Sequence, residues 1–143
     1  MDDVELLQKF EDCTLSFDQW THRAHVKVAY LHLRQFTFDE ALNYLRTRIK
    51  RYNAAHNVPE DLPMRGYNET TTRALLHLIA AVMQAYEKSH PVQTADEFYD
   101  MHPQLHSKHV LRFFYTVDRR MHPEAKTKFI EPDLTPLPRL QRP

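Results

Sequence analysis

Glycine is almost missing from this chain: Gly66 is the only one in 143 residues. Turns that need φ > 0, and the tight hairpins built on them, have few places to form. That argues against a hairpin-rich all-β architecture. Cysteine is equally scarce. Cys13 stands alone, which excludes an intrachain disulfide framework and makes a reducing, cytoplasmic location the expectation. Net charge is absent as well, with 19 Lys+Arg against 19 Asp+Glu. The chain therefore has no global attraction for nucleic acid or an anionic membrane, and neither is expected as a partner. No apolar run approaches the roughly 20 residues that a bilayer span requires. The opening stretch MDDVELLQKFED is acidic and patterned, unlike a signal or transit peptide.

What remains is a globular balance, 42% apolar and 27% charged, at a length that suits one domain with a real core. Hydrophobic periodicity predicts helices throughout. Residues 3–11 form a short first helix, with Val4, Leu6, Leu7 and Phe10 apolar. SFDQ (16–19) and TFDE (37–40) are capping boxes, predicting a second helix to about residue 36 and a third beyond it. Pro59, Pro63 and Gly66 break the chain before a long fourth helix over about 69–88. TADE (94–97) caps a short fifth, and one or two more follow. The expectation is an all-α, irregular bundle of about five to six helices. It forms a single domain over 1–131, followed by a Pro-rich tail, 132–143, that is extended or disordered.

Ten histidines is a high count, and three of them fall in the second helix. On a wheel of about 100° per residue, Arg23, Lys27, Tyr30 and Arg34 share a stripe expected to face solvent. His22, His25 and His32 share the opposite face with Val28, Ala29 and Leu33. His22 and His25 are neighbours at i,i+3. His32 lies two turns on, about 10 Å from His25 by helical rise, too far to share an ion with the pair. It reads as a core residue. The pair has two readings: imidazoles bonded to neighbouring carbonyls or carboxylates, or nitrogen donors to a transition metal that needs a third ligand from another helix.

RGYNETTTR is the turn that could face them. Asn68 is a helix cap, with Glu69 in the first turn. Glu69 and Arg73 are either an i,i+4 surface pair or the lining of a cleft. In a cleft, Glu69 would be base or ligand and Arg73 would hold an anionic substrate. Three other segments read as structural. RTRIKR (46–51) is a solvated basic face at a helix end. His102, His106 and His109 belong to a solvated loop. Phe113 to Tyr115 belong to the core, and Cys13 is a buried, inert thiol.

WTHRAH, RYNAA, GYNET, FFYT and EPDLTPLP, in this order, resemble a family of small, mostly bacterial helical proteins. Its pattern is Trp-x-His-x-x-His, Tyr-Asn, Gly-Tyr-His-Glu-Thr, Phe-Tyr-Ser and Pro-Asp-Leu. The resemblance covers about residues 17–138 and implies a fold and a site, with no reaction attached. It falls on Trp20, His22, His25, Tyr52, Asn53, Gly66, Tyr67, Glu69, Thr70 and Tyr115. Asn68 stands where the family has histidine, and Lys126 stands near an expected arginine.

The combined expectation is a pocket between the WTHRAH helix and the GYNET turn. His22, His25 and Glu69 would be catalytic groups or ligands to a transition metal ion. Trp20, Tyr52, Asn53, Tyr67, Asn68, Arg73 and Tyr115 would support a small-molecule ligand. The alternative is a non-catalytic interaction domain with a structural polar core.

Overall fold

A computed structural model describes residues 1–61 and 65–141. The punctuation expected at Pro63, and the last two tail residues, lie outside the described residues. The chain is all-α: α1 Asp3–Glu11, α2 His22–Gln35, α3 Phe38–Ala55, α4 Glu69–Tyr86, α5 Ala95–Met101, and two short pieces, α6 Val117–Arg120 and α7 Pro123–Thr127. Three 3-10 turns, at Phe17–Gln19, Pro103–Leu105 and Val110–Phe113, join them. Among the described residues no helix is long and apolar enough to cross a membrane.

Caps explain most of the boundaries. Thr37 and Glu40 form the expected reciprocal capping box at α3. Thr94 accepts from Glu97 N at α5, and Asp2 accepts from Glu5 N at α1. SFDQ behaves differently from expectation. It makes only a 3-10 turn, and the Ser16 hydroxyl meets the Gln19 side chain instead of a backbone N–H. The start of α2 is set by Thr21, whose side chain accepts from Ala24 N. His22 is thus the first residue of the helix and His25 lies in its first turn.

α2 is the centre of the bundle and packs against α1, α3, α4 and α5. Every residue from Val26 to His32 is buried. The stripe expected to face solvent does so only in part: Arg34 is exposed and Arg23 half-buried, but Lys27 and Tyr30 are buried. α5 covers these two: Lys27 Nζ and Arg23 Nη2 both lie 2.8 Å from Asp96 Oδ1, and Tyr30 stacks on Phe98. Carboxylates on α5 make burial of a charged stripe tolerable. His32 is a core residue, as its position predicts. Its Nδ1 donates to Val28 O and its Nε2 accepts from Arg48.

The stretch 132–141 runs extended along the bundle. Leu134 N donates to Phe114 O, His77 Nε2 donates to Pro138 O, and Gln84 exchanges two hydrogen bonds with Gln141. Leu137 packs on the core.

Candidate functional site: a cation-lined cleft and a histidine pocket

The GYNET turn is held from three sides. Gly66 has φ +82°, a left-handed conformation that favours glycine. Tyr67 N donates to both oxygens of Glu60 at 3.1 and 3.0 Å. Lys126 Nζ donates to the carbonyls of Arg65 and Tyr67 and sits 3.5 Å from Glu60. Lys126 thus closes the turn through backbone carbonyls. Asn68 Oδ1 accepts from Thr71 N at 2.8 Å and caps α4, a role asparagine performs well.

Glu69, in the first turn of α4, is buried. Arg46 of α3 grips it with two prongs, Nε to Oε1 at 2.8 Å and Nη2 to Oε2 at 2.6 Å. Tyr67 OH adds a third bond, 2.8 Å to Oε1. Hydrogen bonding to Arg46 outweighs burial and holds the carboxyl below its ordinary range. Burial, together with the donated bond to Glu69, pushes the Tyr67 phenol up.

This cluster forms one wall of a cleft of about 790 Å³ between α3, α4 and the 126–129 segment. Its lining carries five cations, Arg46, Lys50, Arg73, Lys126 and Lys128, against two carboxylates, Glu60 and Glu69. Among the described residues neither Lys50 nor Arg73 has a carboxylate partner. Lys50 lies 5.1 Å from the Tyr67 ring centre, and the Arg73 guanidinium 4.4 Å from that of Phe129. A chain of zero net charge has concentrated positive charge in one concavity.

The histidine pair lies elsewhere. His22 and His25 line a smaller pocket, about 280 Å³, with Thr71, Leu75, Lys108, Val110, Leu111 and Arg120. Glu69 and Arg73 project from one side of α4, and Thr71 and Leu75 from the other, two positions or about 200° around the wheel. The structure therefore does not bring Glu69 to the histidines, and the expected three-ligand set is not assembled. Among the described residues no group of three or more His, Cys, Asp or Glu side chains is placed to hold a metal ion.

Each histidine gives one nitrogen to a backbone carbonyl, His22 Nε2 to Leu105 O at 2.8 Å and His25 Nδ1 to Thr21 O at 2.7 Å. A carbonyl only accepts, so those nitrogens carry the proton. Burial pushes His25 down to about 4, against the raising effect of the Thr21 bond. The ring is neutral at pH 7, with Nε2 bare. Trp20 stacks on it, ring centres 3.8 Å apart, and is itself backed by Phe10 at 4.6 Å. Within Trp-x-His-x-x-His, then, Trp20 orients His25 and Thr21 starts the helix.

The other expected site residues are core. Tyr52 OH donates to Leu15 O and Tyr115 OH to Ile130 O, both at 2.7 Å. Asn53 is buried in α3, and its backbone carbonyl accepts from Val58 N. RTRIKR is a solvated face only in part: Thr47, Lys50 and Arg51 are exposed, but Arg46 holds Glu69, Arg48 reaches Glu11 and His32, and Lys50 lines the cleft. His102 is buried beside Phe98, whereas His106, which stacks on Tyr99, and His109 are exposed as expected. Phe113, expected in the core, is 73% exposed. Cys13 is half-buried at φ 62°. Sequence reasoning did not single out Glu60, Lys128 or Phe129 for the cleft, nor Lys108 and Arg120 for the pocket. The charge run around Lys50 was a usable signal, whereas nothing marked Arg120.

No family model matches the chain, and no curated protein or solved structure matches it.

Proposed function

We propose that this chain binds an anionic small molecule in the cleft between α3, α4 and the 126–129 segment. Arg73 and Lys50 act as its anchors. The observation that carries this reading is the imbalance of the lining, in which Lys50 and Arg73 lie near aromatic rings and, among the described residues, neither makes a salt bridge. A cleft with an excess of positive charge and apolar walls at Ala54 and Phe129 focuses its field and raises the local concentration of anions. Arg73 supplies a planar fork for a phosphate or carboxylate, and Lys50 a point charge. Glu69 serves as scaffold. An ionised carboxylate gripped by Arg46 and Tyr67 is a poor general base near neutral pH. The single half-buried thiol suits a reducing, cytoplasmic setting. Family membership, through Trp-x-His-x-x-His and GYNET, stays part of the proposal.

Calorimetric titration with pyrophosphate and with citrate tests the reading and separates the two anion chemistries. At least one should bind, more weakly at high salt. Arg73→Gln should lose about tenfold in affinity. No heat from either anion, or equal affinity in Arg73→Gln, overturns it.

A second reading, a non-catalytic domain with a structural polar core, is favoured by Tyr52 and Tyr115. Both are buried with their hydroxyls on backbone carbonyls. It expects Tyr52→Phe and Tyr115→Phe to lower stability, and no anion to bind the cleft.

A further inference from the structure

The histidine pocket holds polar groups that the cleft does not use. His22 and His25 each have one nitrogen fixed on a carbonyl, at 2.8 and 2.7 Å, and one left over. The leftover nitrogens are His22 Nδ1 and His25 Nε2; the neutral His25 ring, with its proton on Nδ1, leaves Nε2 able only to accept. Arg120, at the end of α6, lines the same pocket. Its Nε is the one buried side-chain nitrogen or oxygen among the described residues without a hydrogen-bond partner. No carboxylate lines the pocket, and Lys108 adds a second positive charge. The remaining lining is Thr71 and the apolar Leu75, Val110 and Leu111.

These features define a ligand by complementarity. A guanidinium whose Nε is buried without a partner calls for a planar anion that can take its N–H groups. The bare Nε2 of His25 calls for a donor, which a fully ionised phosphate lacks. A volume of about 280 Å³ sits just below the range of pockets for drug-sized ligands and suits a small molecule. We propose that this pocket binds a short-chain 2-hydroxycarboxylate. Its carboxylate lies on Arg120, its hydroxyl donates to an imidazole of the His22/His25 pair, and its alkyl group packs against Leu75, Val110 and Leu111. The site is independent of the anion cleft, with which it shares no lining residue.

The test uses uniformly ¹⁵N-labelled protein titrated with lactate, propionate and lactamide, followed at the Arg120 Nε–H and the histidine ring nitrogens. Propionate removes the hydroxyl and lactamide removes the charge. Lactate should shift the Arg120 signal and at least one ring nitrogen of the pair. It should also bind about tenfold more tightly than either analogue, because each analogue leaves a buried group unpartnered. Arg120→Gln should abolish lactate binding and keep binding of any anion the cleft takes, and Arg73→Gln should do the reverse. Equal response to all three compounds, no response, or undiminished lactate binding by Arg120→Gln overturns the proposal. If Arg120→Gln fails to fold, the comparison of the three compounds on the unaltered chain decides alone.

Discussion

Arg46 and Glu69 form a two-pronged ion pair that ties the middle of α3 to the first turn of α4, with contacts of 2.8 and 2.6 Å. Glu69 is nearly fully covered, so removing its partner strands a buried charge. Arg46→Ala is expected to destabilise the fold by about 3 kcal/mol, measured by urea unfolding. Arg46→Ala combined with Glu69→Gln should recover part of that loss, because no buried charge is then left alone. A single variant within a few tenths of a kcal/mol of wild type would sink this account. The pair also has a pH signature. The carboxyl of Glu69 is depressed in the folded state. Its contribution is therefore full above the ordinary carboxylate pKa, about 4.3, and is lost as pH falls through the lower folded value.

His25 gives linkage of the same sign in a higher pH window. Burial holds its folded value at about 4, against about 6.5 in an unfolded chain. Between those values the unfolded state takes up a proton that the folded state refuses. Stability should therefore fall as pH drops from about 6.5 to 4, by up to about 3 kcal/mol from this residue. His32, also lowered by burial, acts in the same direction. Urea midpoints collected across this range should show a flatter slope in His25→Gln than in wild type. Parallel slopes would show that His25 is not the titrating group.

These two residues also show where the sequence was legible. That Glu69 belongs to a helix start was readable, because capping is local, whereas the start of α2 was placed too early, at SFDQ instead of Thr21. TFDE and Asn68 cap where expected, and the histidines lie on the inner face of α2. Which side of α4 each group meets was not readable. Glu69 and Thr71 are two residues apart but point about 200° apart, and only tertiary packing decides which neighbour each finds. Charge misled in the same way. Lys27 and Arg23 read as solvated until α5 supplies Asp96. Phe113 read as core until a 3-10 turn pointed it outward. Arg120 carried no local signal, since its role depends on what packs over a four-residue helix.

Gly66→Ala should be harmful for two separable reasons. The residue sits at φ +82°, and the Cβ would occupy the place of the Glu60 carboxylate. Moving that carboxylate loosens its bonds to Tyr67 N and its contact with Lys126. A loss of about 1–2 kcal/mol is expected in chemical unfolding. Glu60→Ala combined with Gly66→Ala relieves the clash but not the backbone strain. The double variant should therefore cost less than the sum of the two single changes. Strict additivity would mean that the side chain of Glu60 is not what the Cβ meets.

The extended segment after α7 behaves as a strap, and its removal should be felt. Asp133 accepts from both the backbone N and the hydroxyl of Thr116, at 2.8 and 2.7 Å. Further along, His77 holds Pro138 O, Gln84 pairs with Gln141, and Leu137 covers part of the core. Each exposed contact is weak alone. Cutting the chain after Glu131 removes them together and uncovers apolar surface along α4, where Leu78, Ala81, Val82 and Ala85 line a groove closed on one side by Pro138. Thermal unfolding followed by circular dichroism should show the truncated chain melting about 5 °C or more below the full one. Leu137→Ser in the full-length chain should reproduce part of the drop, since it removes the apolar contact and keeps the hydrogen bonds. An unchanged midpoint in both would mean that the segment lies on the surface without holding it.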